Sequence, residues 1–487
     1  MKNKIIGLWG LILMAPSPQV CAGSWLDTGD VLLRHQLQLL ADSSELKAPL
    51  TTWPLSAADI TASLKNSQRE IGLSSSLLSV VSHHLTNQDS NFSIGAEFVT
   101  DYLLIRDFSG DGQKKSKFFY DGAYQGDFVN ARLKAALVEK SGHPDDDNLA
   151  LDESYLSTSF RNWKLTAGKQ SRWWGPGWDG SLILSNNARP IPSVSLDRDI
   201  SKSFESKYLK WVGPWKLSIF AGQLESSRHI PDVKLLGARL NFKPTHKLEI
   251  GLSRTAQWGG EGRPQTLSSL LNSIAGIDNY YADRPGGKSE EPGNQLAGVD
   301  FRWRSPLGNA PYAVYGQFIG EDEANKLPSK NIGLLGAELW GGRDSFKSSW
   351  RLYLEAADTS TNFYKGRVRN NTAYNHSIYH DGYRYHGESL GHSIDTDARL
   401  ISIGGIVAQS NGNYWRAWGK YARLNTDGVG YSGVASEGLT WKGLGLSYEK
   451  KIGYKTKVNT GVQLVHAERD EGSNSDLEFM LGLVHSF

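Results

Sequence analysis

Residues Gly387–Gly391 read GESLG, the spacing of a nucleophile elbow, with His392 directly after. That motif works only where a sharp strand-to-helix turn exposes the serine and brings a histidine and an acid alongside. The stretch around it is rich in Tyr and His and carries no helical period after the serine, so Ser389 reads as a loop residue. An outer-membrane hydrolase built on Ser389 stands behind two other readings. His376, His380, His386 and His392 crowd the same stretch. Zinc takes closer or helix-phased ligands with a fixed second shell, and no cysteine lies nearby, so they read as solvated loop residues. Glu321, Asp322 and Glu323 are adjacent, whereas a glycosidase needs two carboxylates on opposite sides of a sugar ring. With Asp145–Asp147 they read as outward acidic residues that meet divalent cations or lipopolysaccharide. No catalytic residue, metal or cofactor is expected.

Aromatic loops remain. Ser171–Gly180 is SRWWGPGWDG, Ala256–Gln265 is AQWGGEGRPQ and Ile378–Gly387 is IYHDGYRYHG. Their Gly and Pro content places the rings on loops. Flat rings beside Arg, Asp and Glu suit pyranose recognition, because sugar C–H faces pack on aromatics while hydroxyls need fixed donors and acceptors. The candidate polysaccharide contacts are therefore Arg172, Trp173, Trp174, Trp178, Asp179, Trp258, Glu261, Arg263, Tyr383 and Tyr385. The alternative is that these braced loops form the core of a plug, and the sequence leaves both open.

The elements that carry them are expected to be strands. The chain opens with Lys2, Lys4, an apolar stretch from Ile5 to Ala15, and Val20 and Ala22 before Gly23, which reads as a signal peptide over 1–22. Val20 and Pro18 argue against lipid anchoring of Cys21, the only cysteine. The chain has 53 basic and 51 acidic residues, and removing Lys2 and Lys4 leaves 51 of each, so nucleic acid is not expected as a partner. No apolar stretch reaches the length of a spanning helix. A closed barrel needs none, and it tolerates the mean hydropathy of −0.42 alongside 16 Trp, 20 Tyr and 16 Phe.

Pattern decides between a barrel and a soluble β-protein. Val31, Leu33, Leu37 and Leu40 mark one amphipathic helix; Ser56 with Asp59 starts a second, and Leu77, Leu78, Val81 and Leu85 mark a third. Residues 23–90 are expected to be a small periplasmic helical subdomain. From Phe92 the period is two: Leu248, Ile250 and Leu252 alternate with Glu249, Gly251 and Ser253, and Trp350, Leu352 and Leu354 with Arg351, Tyr353 and Glu355. Short connections such as Lys243–His246 and Ser410–Asn413 alternate with long ones near 169–206, 256–294 and 358–397. That asymmetry, together with the final alternating strand ending in Phe487, predicts an all-β membrane fold: an antiparallel outer-membrane β-barrel of about 18 strands over 91–487, its long loops extracellular.

Thr51–Ser56, Trp173–Gly177 (WWGPG), Lys210–Trp215 (KWVGPW), Gln257–Gln265, Glu291–Gly298, Gly320–Glu323 and Ile378–Tyr383, in series, resemble the Wzi-type capsule-assembly family. The resemblance implies an 18-stranded barrel with a periplasmic helical bundle and a lectin role in attaching capsular polysaccharide to the cell, with no catalytic residues to carry over. Expected partners are capsular or extracellular polysaccharide, outer-membrane lipid and lipopolysaccharide, the polysaccharide export machinery and, during biogenesis, the barrel assembly machinery. The runner-up is a porin for oligosaccharides or small solutes.

Overall fold

The computed structural model describes residues 25–70, 81, 92–110, 115–126, 128–139, 143–266, 268–270, 294–324, 327–343, 348–365 and 368–487. The proposed signal peptide and most of the expected third helix lie outside them.

Alternation along each strand sorts side chains between two faces, and here the sorting is inverted relative to a soluble protein. On Ser348–Asp358 the polar Arg351 and Glu355 are each 1% exposed, whereas Leu352 and Leu354 are 42% and 53% exposed. A face of bare leucine is stable only against lipid, and the charged face is satisfied inside. The strands pair antiparallel with their neighbours into one closed, 18-stranded barrel, counting Leu149–Ala150 and Tyr155–Phe160 as a single interrupted strand, since both pair with Val129–Val138. Closure joins the final strand Gly472–Ser486 to the first, Phe92–Val99. At that seam the Phe487 amide donates to the Phe92 carbonyl at 3.1 Å and the two rings stack at 4.6 Å. Glycines admit aromatic rings across the wall: a Cβ on Gly404 would fall 2.2 Å from the Tyr353 ring.

Connections are short at one end, as at 161–162, 246–247 and 453–455, and long at the other, as at 170–191 and 359–398. The expected long loop over 169–206 is divided. Pro192–Arg198 is a wall strand pairing with Trp163–Lys169 and Trp215–Gln223, so only 170–191 is a long loop, and 199–214 belongs to the opposite end.

Among the described residues the helices that precede the barrel are α1 (Val31–Asp42) and α2 (Ala57–Glu70). Asp30 caps α1 by accepting the Leu33 amide at 2.8 Å. α1 is buried almost all round, Arg34, His35 and Asp42 included, because it lies within the barrel wall instead of hanging below it. The boundary placed at residue 90 therefore separates elements along the chain and not two independent bodies. Among the described residues no helix is long and apolar enough to cross a membrane.

Candidate carbohydrate-binding face

Polar groups on the inner wall dictate what fills the lumen. Glu249 accepts the Leu50 and Thr51 amides at 2.9 and 2.8 Å and the Thr51 hydroxyl at 2.7 Å. Arg239 donates to both Asp300 oxygens at 2.5 and 2.9 Å and to Thr52 Oγ1 at 2.7 Å. At the end of α1, Asp42 is held by Arg302 at 2.7 Å and Arg351 at 3.1 Å, and both arginines also reach Glu338 at 2.6 Å. Each charge is buried with its partner, the condition under which removing one member costs several kcal/mol. The N-terminal segment is thereby bolted inside the wall from the short-turn end.

The loop 170–191 enters from the other end and meets it. Trp173 and Trp174 pair antiparallel with Trp53 and Thr52. The Trp178 amide donates to Glu355 at 2.8 Å, its indole N–H to Glu338 at 2.9 Å, and the Trp173 indole to the Gly177 carbonyl at 3.1 Å. Arg34 of α1 closes the joint. Its guanidinium lies 4.3 Å from the Phe108 ring and 4.2 Å from that of Trp178, and donates to the Pro176 and Gly177 carbonyls at 2.8 and 2.7 Å. Burial lowers its pKa to about 10, which leaves it charged at neutral pH.

The expectation that these tryptophans face a sugar is therefore corrected. Trp173, Trp174, Trp178, Asp179 and Arg172 are all buried: Trp178 donates to wall carboxylates, Asp179 is ion-paired with Lys420 at 3.4 Å, and Arg172 donates to the Gln170 carbonyl and to Ser193 Oγ at 3.2 and 3.0 Å. Tyr383 and Tyr385 follow the same pattern. Both are buried, and the Tyr383 hydroxyl donates to the Ile183 carbonyl at 2.9 Å, tying 359–398 onto 170–191; burial raises the pKa of both phenols. A second clasp is Arg384 with Asp395, two bonds of 2.8 Å.

Three of the ten expected contacts stay accessible, all on one segment. Trp258, at the end of the strand Leu248–Trp258, is half-buried and donates to Ser269 Oγ at 3.1 Å. Glu261 is exposed, and half-buried Arg263 places its guanidinium 6.0 Å from the Tyr379 ring. Sequence reasoning missed two more rings on the same end. Tyr364 is 56% exposed, and Tyr431, 53% exposed, has Arg384 at 4.7 Å from its ring. Tyr364 is followed by Lys365 and Gly366, part of the signal that singled out the other loops, whereas the loop 425–438 around Tyr431 has glycines but no basic residue.

The motifs weighed for catalysis and metal disperse. Ser389 is buried on a short hairpin, Arg384–Tyr385 with Glu388–Ser389, and its hydroxyl accepts the Gly391 amide at 3.2 Å; no histidine bonds it among the described residues. His380 lies tilted against His229 at 4.1 Å, His386 pairs with Asp146 at 2.8 Å, and His392 is buried with its pKa lowered to about 3 by burial. The four loop histidines are not brought together, and no group of three metal-ligating side chains forms among the described residues. The acidic residues act as clasps: Asp146 holds Arg189 at 3.0 Å, Asp145 accepts the Ser227 amide at 3.0 Å and Glu321 that of Tyr374 at 2.5 Å.

Comparison with known proteins bears on this face. The sequence model of a family described as capsule assembly protein Wzi matches residues 90–476. An uncharacterized 55.8 kDa protein in the cps region of Klebsiella pneumoniae is 30% identical over 482 residues, covering 97% of this chain and 92% of the relative. Among solved structures, Wzi, an outer membrane protein involved in group 1 capsule assembly in Escherichia coli and described as a carbohydrate-binding β-barrel, superposes with a TM-score of 0.84 at 29% identity, covering 95% of this chain and 100% of that one.

Proposed function

The chain belongs to the Wzi family of capsule assembly proteins, and from that premise we propose that it is a non-enzymatic outer-membrane lectin that retains capsular or extracellular polysaccharide at the cell surface. The observation that carries the reading is the filled lumen. With the N-terminal segment paired to the tryptophan loop, the long-loop rim is the surface left to meet a polymer. In this reading the long loops face outward and the export machinery delivers the chain to them. Rim groups of both kinds that sugar needs are present: the rings of Trp258, Tyr364 and Tyr431, and the charged Glu261 and Arg263. Single contacts of this sort are weak, but a repeating polymer engages many copies, so avidity supplies retention.

The test is binding of the purified protein to the capsular polymer of its own cell. Trp258→Ala, Tyr364→Ala and Tyr431→Ala should each weaken binding by roughly fivefold, the equivalent of about 1 kcal/mol per ring. If the combined variant keeps full binding while the barrel stays folded, the rim is not the site. Large steady openings in planar bilayers, without polymer binding, would support the porin reading instead.

A further inference from the structure

The connection 199–214 differs from the other described connections at the short-turn end, which are tight turns such as 246–247 and 410–413. Its first residues are tied inward, Asp199 to Lys164 at 3.2 Å and the Ser201 amide to Asp59 at 2.8 Å, and from Phe204 it folds against the lipid-facing wall. Phe204 stacks on Trp215 at 4.8 Å, Arg198 sits 3.8 Å over the same indole, and Trp211 meets Phe242 edge-on at 6.3 Å. Trp215 and Phe242 occupy the outward positions of their strands, since the alternate residues Lys216 and Asn241 are buried in the lumen. Gly213 allows the close approach: its φ is +69°, and a Cβ there would lie 1.9 Å from the Lys243 carbonyl oxygen.

The tip projects apolar surface into its surroundings. Tyr208 is 75% exposed, Trp211 63% and Leu209 43%. Around them stand the exposed Lys202, Lys207 and Lys210 against one acid, Glu205. The same end carries outward Trp303, Trp350 and Trp415, the indole belt that marks a headgroup boundary.

We propose that 199–214 is a membrane-surface foot, its Tyr208, Leu209 and Trp211 seated in the leaflet at the short-turn end and its lysines paired with anionic phospholipid headgroups. Two observations select lipid over a soluble protein as the occupant. The apolar tip is continuous, through Phe204–Trp215 and Trp211–Phe242, with the wall that already faces lipid. Its aromatic and lysine make-up is that of an interfacial segment, where indoles and phenols sit at headgroup depth and ammonium groups snorkel to phosphate.

The test places a fluorophore on Tyr208→Cys in a Cys21→Ser background and reconstitutes the barrel in phosphatidylcholine vesicles with and without phosphatidylglycerol. Brominated lipid should quench the probe and aqueous acrylamide should not. Adding phosphatidylglycerol should deepen lipid quenching in the parent, and Lys202→Gln, Lys207→Gln and Lys210→Gln together should abolish that increment, each lysine contributing roughly a fivefold preference for anionic lipid. A probe open to acrylamide and untouched by brominated lipid in both compositions, on a barrel with normal heat-modifiable mobility, overturns the proposal and points to a soluble protein partner.

Discussion

Replacing Arg34 should unfasten the plug. The side chain makes two hydrogen bonds to backbone carbonyls and lies against two rings. Charge-assisted bonds contribute about 2 kcal/mol each, and each desolvated ring contact about 1 kcal/mol. Opposing them is the net electrostatic cost of the buried cation, desolvation partly offset by Glu338 and Glu355, which a pKa lowered to about 10 puts at roughly 3 kcal/mol. The net is about 3 kcal/mol, enough to raise the population of the undocked state by about two orders of magnitude. Single-channel recording in planar bilayers reads this directly. The parent should be silent, Arg34→Ala should show frequent brief openings, and Arg34→Lys, which keeps the charge but loses the planar fork, should lie between. If Arg34→Ala is as silent as the parent and its 25–64 segment is no more open to protease, the plug is not held at this joint.

Two further perturbations bear on the packed loops. Gly180→Ala would set a Cβ 2.0 Å from Nε2 of buried His392, and overpacking there should cost about 1–3 kcal/mol, read as a lower melting temperature of the loop core by near-ultraviolet circular dichroism. His392 has its pKa lowered by burial to about 3, below the ordinary histidine value, so its contribution is fully present above about pH 6.5 and is lost as pH falls. At pH 5 the loss should approach about 2 kcal/mol; protease nicking of 359–398 should rise between pH 7 and pH 5 and rise less in His392→Gln, where His386, its pKa also lowered by burial, still titrates.

Most of the wall was legible in the sequence because an alternating strand states its own orientation. Arg351 and Glu355 alternate with Leu352 and Leu354, and no distant information is needed to see that one set is lumenal. The strand Pro192–Arg198 was missed because it is short and opens on proline, so nothing in it outweighs the loop signals on either side. The orientation of the tryptophan loop was not legible for a different reason. Gly175, Pro176 and Gly177 remove any period, and the groups that draw Trp178 inward, Glu338 and Glu355, lie 160 and 177 residues away. Arg34 and Asp42 stand with His35, Gln36 and Gln38 on an amphipathic helix, where charges read as solvated, and their partners are also remote. The rim residues Trp258, Glu261 and Arg263 stay accessible, and Trp258 donates within its own loop, to Ser269 Oγ at 3.1 Å.

A cylinder whose last ladder links its first strand to its final one still has two open mouths. The stopper comes from both of them, and the four-residue splice between Thr52–Trp53 and Trp173–Trp174 is where its halves are fastened to each other. Parting that splice would uncover the wall charge Arg239, which the Thr51 and Thr52 side of the joint now shields from water.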